Sequence, residues 1–79
     1  MIKVKDKSGQ EIYVKYTRDS GDNFHCKTYS DEPGYNKIDE FVVKPTDIYD
    51  YYLLDYPRQI QALEQYIRDY YSKTELDLL

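Results

Sequence analysis

The chain has few of the residues on which disulfides, metal sites and phosphate loops depend. Its 79 residues include one cysteine, one histidine, three glycines and no tryptophan. A single cysteine cannot form an internal disulfide, which is typical of a reducing compartment, and we expect a cytoplasmic location. One histidine and one cysteine are few ligands for a metal site, so neither a metal nor another cofactor is expected.

Sequence motifs for catalysis are missing as well. The three glycines are isolated at positions 9, 21 and 34, so there is no glycine-rich phosphate loop. The acidic pairs Asp31-Glu32 and Asp39-Glu40 have no nucleophile, oxyanion hole or phosphate loop beside them, and we interpret them as solvated loop charges. We therefore predict that the protein is not an enzyme.

His25 and Cys26 are neighbours in the sequence, as a thiolate–imidazole pair would require. They lie in a run that alternates like a strand, where successive side chains point to opposite faces. Cys26 is therefore predicted to be a small core residue and His25 a surface residue.

Long hydrophobic runs are also absent. No run approaches the ~20 apolar residues of a membrane span, and residues 1–5 do not read as a signal peptide, so no membrane partner is expected. The chain is 41% hydrophobic and 16% aromatic, which argues against disorder despite 33% charged residues. We predict a single domain over residues 1–79, and its small core makes a homodimer a further hypothesis.

The first half of the chain alternates apolar and polar residues in short runs separated by turn residues. Runs at residues 1–5, 11–17 and 24–29 predict three strands, and a fourth is expected to end at residues 41–43 after a bulge or a late start. We predict an α+β fold, in which an antiparallel meander of three or four strands (residues 1–44) precedes two C-terminal helices (residues 45–79). Both helices are expected to pack on one face of the sheet.

Pro57 separates the two predicted helices and suits the first turn of the second. From residue 58 onward, apolar residues recur at three- and four-residue steps, which predicts an amphipathic helix. Its core-facing residues are expected to be Ile60, Leu63, Tyr66, Ile67, Tyr70 and Tyr71. Residues 74–79 include three leucines and are expected to extend this helix or to fray, with a docking tail as another interpretation.

The stretch between Pro45 and Pro57 is predicted to be a shorter helix, with Thr46 as its N-cap and its end near residue 55. On a helical wheel, the residues that face the core are Ile48, Tyr49, Tyr52, Leu53 and Tyr56. The residues that face outward are Asp47, Asp50, Tyr51, Leu54 and Asp55. This outward set, with Tyr51 and Leu54 framed by three carboxylates, is the leading candidate for a partner-binding site. Another interpretation is that Tyr51 and Leu54 pack on the neighbouring helix or a loop.

Strand alternation also predicts what lies on each face of the sheet. The face covered by the helices is expected to carry Ile2, Val4, Ile12, Val14, Tyr16, Phe24 and Cys26. The opposite face is expected to carry Lys3, Lys5, Tyr13, Lys15, His25, Lys27 and Tyr29. Lysines interleaved with aromatic residues on an open sheet occur in single-strand nucleic-acid binders, although both residue types are also routine on a solvated sheet face.

The charge is distributed unevenly along the chain. Residues 1–18 carry five bases and two acids, a net charge of +3, whereas residues 19–79 carry six bases and thirteen acids, a net charge of −7. The overall charge of −4 works against binding of a polyanion, so nucleic-acid binding is an alternative hypothesis rather than the leading one.

The leading functional hypothesis rests on the eleven tyrosines and the acidic balance. Tyrosine provides large, rigid contact area at interfaces, and a core of this size is not expected to hide eleven of them. Carboxylates beside aromatic residues can imitate the phosphates and bases of a nucleic acid. We therefore expect a small acidic inhibitor or adaptor that binds a basic protein surface. By analogy of size and composition alone, phage and mobile-element inhibitors of host nucleic-acid machinery, anti-CRISPR proteins included, are of this kind. A homodimeric structural or regulatory protein is the third hypothesis.

Overall fold

Four antiparallel strands form one sheet in the computed structural model of the chain, which describes residues 1–73. The strands are β1 (Ile2–Lys5), β2 (Glu11–Arg18), β3 (Phe24–Tyr29) and β4 (Lys37–Val43). Each strand pairs with the next, so the predicted α+β meander is confirmed, with four strands. The expected bulge is present, because the register of β4 shifts opposite Thr28 and Tyr29. The predictions for residues 74–79 lie outside the described residues.

Each of the three turns between strands is opened by an aspartate that caps it. The carboxylates of Asp6 and Asp19 each accept hydrogen bonds, at 2.9 to 3.0 Å, from the backbone N–H groups two and four residues later. Asp31 accepts from the N–H groups four and five residues later, at 3.0 and 2.8 Å. The turns are therefore fixed by local bonds between side chain and backbone.

Helix α1 (Tyr56–Lys73) packs on one face of the sheet and confirms the second predicted helix. Asp55 caps it, because its Oδ1 accepts from the backbone N–H of Arg58 at 3.1 Å. The buried apolar core consists of Ile2, Val4, Ile12, Val14, Phe24, Cys26, Val43, Ile48, Tyr51, Leu63 and Ile67. Partly buried residues that pack against it are Tyr16, Phe41, Leu54, Ile60, Ala62, Tyr66 and Tyr71. The predicted core face of the sheet is thus confirmed.

The segment between β4 and α1, residues 44–55 (the connection), is not the helix that the sequence predicts. It contains two short 3₁₀ turns, Pro45–Asp47 and Tyr51–Leu53. Between them the backbone of Ile48 is extended, and that of Asp50 is left-handed with φ at 55°. The prediction of two helices is therefore wrong. A helix confined between two prolines in so short a segment is marginal, since isolated helices of fewer than ~12 residues gain too few hydrogen bonds.

Candidate functional site

Large side chains of the connection and of the first residue of α1 face solvent. Tyr49 is 90% exposed, Leu53 82%, Tyr52 71% and Tyr56 57%. The helical wheel predicts that these four residues face the core, and that prediction is wrong. We call Tyr49, Tyr52, Leu53 and Tyr56 the tyrosine patch.

The two residues predicted to be exposed anchors are covered instead. Tyr51 is 2% exposed, and its ring packs edge-to-face against Phe24. Leu54 is partly buried and packs against the same core. The assignment of Tyr51 and Leu54 to a docking surface is therefore corrected, because both contribute to the core.

The inversion follows from the break in the segment, where an extended Ile48 and a left-handed Asp50 separate the two 3₁₀ turns. Ile48, Tyr51 and Leu54 all pack inward and recur every three residues. Three residues per turn is the repeat of a 3₁₀ helix, in which residues i and i+3 lie on the same side. A wheel drawn at 3.6 residues per turn assigns Tyr51 and Leu54 to the opposite side. The sequence carries this three-residue apolar spacing at Ile48, Tyr51 and Leu54 alongside the spacing of 3.6 residues.

Three carboxylates predicted for the partner site, Asp47, Asp50 and Asp55, are exposed beside the tyrosine patch. The Oδ2 of Asp47 accepts from the backbone N–H of Lys44 at 2.9 Å. In this turn Lys44 is the N-cap, and the predicted cap Thr46 lies inside the turn instead. The structure therefore keeps the predicted acidic residues on the surface and changes the apolar residues that accompany them.

A shallow groove of about 340 Å³ lies between the connection and α1. Its lining consists of Asp47, Ile48, Tyr49, Ala62, Gln65, Tyr66 and Asp69. Burial, together with the negative charge of Asp47, raises the pKa of Tyr66, so the field of this carboxylate reaches into the groove. Two carboxylates and two aromatic rings in one groove suit a lysine or arginine side chain, which carboxylates and ring faces both attract. Sequence analysis missed Tyr66 and Asp69 as members of this site.

Arg18, at the end of β2, contacts Tyr56, the last residue of the tyrosine patch. Its guanidinium carbon lies 5.0 Å from the ring centroid of Tyr56, within the range of a cation–π interaction. The same guanidinium donates to the Gln59 side chain at 3.3 Å and to the Tyr51 hydroxyl at 3.5 Å. Tyr56 is thereby held against the sheet, and it is the least exposed member of the patch.

The sheet face opposite α1, which we call the open face, carries the residues predicted for it. Its exposed bases are Lys3, Lys5, Lys15, His25 and Lys27, and Tyr13 and Tyr29 are half-buried among them. Cys26 points to the other face and is buried, so the predicted separation of His25 and Cys26 is confirmed. Burial raises the pKa of the Cys26 thiol to about 11, which leaves the thiol protonated and a poor nucleophile at neutral pH.

Cross-strand pairing orders the open face into rows. Lys3 pairs with Tyr13, Tyr13 with Tyr29, and Tyr29 with Lys37, so two adjacent tyrosines have a lysine at each end. The ammonium nitrogen of Lys15 lies 5.2 Å from the ring centroid of Tyr29. The structure therefore brings the predicted bases and aromatic residues together on one surface.

Neither a metal cluster nor a membrane-spanning helix is present in the part of the chain that the structure describes. Within residues 1–73, no three His, Cys, Asp or Glu side chains are placed to hold a metal ion. The same residues contain no helix that is long and apolar enough to cross a membrane. The tyrosine patch and the open face are the two surfaces on which large aromatic and charged side chains are brought together.

Comparisons with known proteins do not assign the chain to a family. No family model, no curated protein and no solved structure matches it. The function is therefore inferred from the two surfaces themselves.

Proposed function

We propose that the chain is a non-enzymatic protein-binding module that docks through the tyrosine patch onto a partner with a basic surface. The observation that carries this proposal is the exposure of Tyr49, Tyr52 and Leu53, at 90%, 71% and 82%. Single exposed apolar residues are common on monomers, but three within five residues form a surface of the kind that partners cover. Tyrosine is also among the residues that interfaces favour.

Charge indicates the chemistry of the partner. Asp47, Asp50 and Asp55 are exposed around the patch, and Asp69 adds a fourth carboxylate at the groove. A lysine or arginine of the partner would enter the groove between Asp47 and Asp69, while Tyr49 covers its apolar stem. The remaining carboxylates would steer the encounter and fix its orientation.

A basic groove that normally holds nucleic acid is a partner surface of this description. Aromatic rings alternating with carboxylates would occupy the positions of bases and phosphates there, and the chain would act as a stoichiometric inhibitor. The hypothesis of a phage or mobile-element inhibitor, which rested on composition, now includes the surface that would bind, the tyrosine patch. The corrected anchors are Tyr49, Tyr52 and Leu53 in place of Tyr51 and Leu54.

The test compares two variants of matched exposure. Partners captured from a host lysate by the wild-type chain are identified, purified and titrated against each variant by calorimetry. The double variant Tyr49→Ser with Leu53→Ser should weaken binding at least tenfold, since central apolar anchors typically contribute more than about 1.4 kcal/mol. Tyr35→Ser is the control, because Tyr35 is 86% exposed but lies in the turn between β3 and β4.

The charge contribution is tested with the same purified partner. Asp47→Asn should weaken binding and reduce its dependence on salt, because it removes a carboxylate from the groove without changing its shape. A partner that binds the double variant as tightly as it binds the wild type, or that is lost only with Tyr35→Ser, would contradict the proposal.

A further inference from the structure

We propose that the open face binds single-stranded nucleic acid, with bases stacked on Tyr13 and Tyr29 and phosphates held by the surrounding lysines. This site is separate from the tyrosine patch, because the connection and α1 pack on the other face of the sheet. Its geometry, its charge and one unfavourable pairing within it each support the inference.

The two tyrosines are placed as neighbouring stacking platforms. Tyr13 and Tyr29 are direct cross-strand partners, and residues paired in this way have Cβ atoms about 5 Å apart. The Tyr13 hydroxyl donates to Glu11 at 2.8 Å, which fixes the orientation of its ring. A pair of adjacent, half-buried rings on an open sheet can stack two successive bases, as aromatic residues do in single-strand binders.

The next row of the open face brings two like charges together. Lys15 on β2 pairs directly with Lys27 on β3, an arrangement that destabilises a sheet. Among residues 1–73, neither lysine forms an ion pair. Glu40 is the partner of Lys27 on β4, but its carboxylate is bridged by Lys37. A phosphate between Lys15 and Lys27 would relieve their repulsion.

The neighbouring turn holds Lys15 in place. Its ammonium group donates to the carbonyl oxygen of Pro33 at 3.2 Å. A Cβ atom on Gly34 would lie 2.6 Å from Lys15 Nζ, so the glycine makes this close approach sterically feasible. The ammonium group lies over the face of the Tyr29 ring, so a base that stacks on this face displaces the ammonium group toward the phosphate of the same nucleotide.

The distribution of charge removes the objection that an acidic protein repels nucleic acid. Five lysines of the open face (3, 5, 15, 27 and 37) are accompanied by three glutamates, 11 and 40 on the strands and 32 in the turn beside Lys15 and Tyr13, which leaves a net charge of +2. Since the whole chain has −4, the remaining residues carry −6, and they lie in the turns, on the opposite layer and in residues 74–79. The Cα atoms extend over 18 Å along the shortest axis, and the Debye length is about 8 Å at physiological salt, so charges on the opposite layer are largely screened from the open face.

The test is a fluorescence-anisotropy titration of labelled oligothymidylate and oligouridylate of about ten nucleotides, a length within the range of single-strand binding folds. The affinity should fall with salt with a log–log slope of about −3, as expected for four phosphate contacts on a single strand. Lys15→Ala should lower the magnitude of that slope by about 0.7, the share of one contact.

Variants of one tyrosine separate stacking from charge. Tyr13→Ala should weaken binding about tenfold while the salt slope is unchanged, because a stacked base is lost and no charge is. Tyr13→Phe keeps the ring but loses the hydrogen bond to Glu11, so it should retain most of the affinity that Tyr13→Ala loses. Arg58→Ala, which removes one positive charge from α1, should change neither the affinity nor the slope.

Three results would overturn the proposal. The first is no binding at low salt. The second is equal affinity for a duplex of the same sequence, or no effect of Tyr13→Ala, either of which would indicate attraction of any polyanion without stacking. The third is salt-dependent self-association by light scattering that Lys15→Glu abolishes, since the open face would then be occupied by a second copy of the chain.

Discussion

The rings of Tyr51 and Phe24 meet edge-to-face, with centroids 6.1 Å apart, and both side chains are buried. This contact fastens the middle of the connection to β3. It also fixes the direction of the residues on either side of Tyr51, because neighbouring positions in a 3₁₀ turn point to different sides. The same contact that buries Tyr51 therefore exposes Tyr52 and Leu53, and Tyr49, which lies beyond the left-handed Asp50, is exposed as well.

Tyr51→Ala should lower the free energy of unfolding by about 3 to 5 kcal/mol, the usual cost of removing a buried aromatic ring. Tyr49→Ala is the matched control and should change it by no more than about 0.5 kcal/mol, because its side chain is exposed. Urea denaturation of the two variants measures both values. Equal effects would show that the connection does not divide its tyrosines between core and surface.

Tyr71→Phe should raise the free energy of unfolding by about 1 kcal/mol. The Tyr71 hydroxyl is buried and has no hydrogen-bond partner among residues 1–73, and such a group costs free energy when it leaves water. The nearby Thr28 hydroxyl donates to the carbonyl of Asp39 at 3.4 Å. Tyr70→Phe is the control, since Tyr70 is 44% exposed and its hydroxyl is not among the buried unpartnered groups.

Because of Tyr71, the stability of the fold should also depend on pH in the alkaline range. Burial, the largest effect on this group, raises the pKa of Tyr71. The folded state therefore favours the neutral phenol, so this contribution is present below the ordinary pKa near 10 and is lost as pH rises above it. The difference in Tm between the wild type and Tyr71→Phe should grow between about pH 9 and pH 11, and a constant difference would contradict this assignment.

Asp22→Gly should leave stability nearly unchanged, whereas Gly9→Ala should cost about 1 to 2 kcal/mol. The two residues occupy equivalent positions in the first two turns, and both have left-handed backbones, with φ at 63° for Asp22 and 87° for Gly9. A Cβ on Gly9 meets no atom within 4 Å, so its cost is purely conformational.

The ion pair that Asp22→Gly removes contributes little. Asp22 lies 3.7 Å from the Arg18 guanidinium, but both side chains are partly exposed. Asp22→Ala loses the same ion pair and keeps the left-handed strain, so it should be less stable than Asp22→Gly in thermal denaturation. If Asp22→Ala were instead the more stable variant, the entropy of the unfolded chain would contribute more to stability than relief of the left-handed backbone does.

Asp19→Asn should destabilise the fold at neutral pH and have a smaller effect in acid. A hydrogen bond from His25, at 2.8 Å, and the backbone N–H of Asn23 hold the pKa of Asp19 well below its usual range. A lowered carboxyl pKa contributes stability above the unfolded value near 3.8 and loses it as pH falls through the folded value. Thermal melts at about pH 6 and about pH 2.5 should show the gap between the two proteins narrowing. A gap of constant size would show that the ionised carboxylate is not what stabilises this turn.

The sheet and α1 could be predicted from sequence because one geometric period governs each of them. In the strands, residues such as Val14 and Lys15 alternate with a period of two, and side chains on the two faces cannot exchange without a register shift. In α1, Leu63 and Ile67 recur at the helical spacing and are both fully buried. The same alternation correctly predicted which residues lie on the open face.

The connection could not be predicted in the same way because two periods fit its sequence. A repeat of 3.6 places Tyr49 and Tyr52 in the core, and a repeat of three places Tyr51 and Leu54 there. The choice between them depends on the left-handed turn at Asp50 and on the contact between Tyr51 and Phe24, a residue 27 positions earlier in the chain. Contacts of that range are not visible in a local pattern.

The connection buries Tyr51 and exposes Tyr49, Tyr52 and Leu53, which we propose contact a protein partner. Hydroxyl-radical footprinting of the chain, alone and with its purified partner, tests this most directly. We expect Tyr49, Tyr52 and Leu53 to be oxidised rapidly in the free chain and protected in the complex, while Tyr51 is protected in both and Tyr35 reacts in both. Rapid oxidation of Tyr51 in the free chain, or a complex that leaves Tyr49 and Leu53 fully reactive, would contradict it.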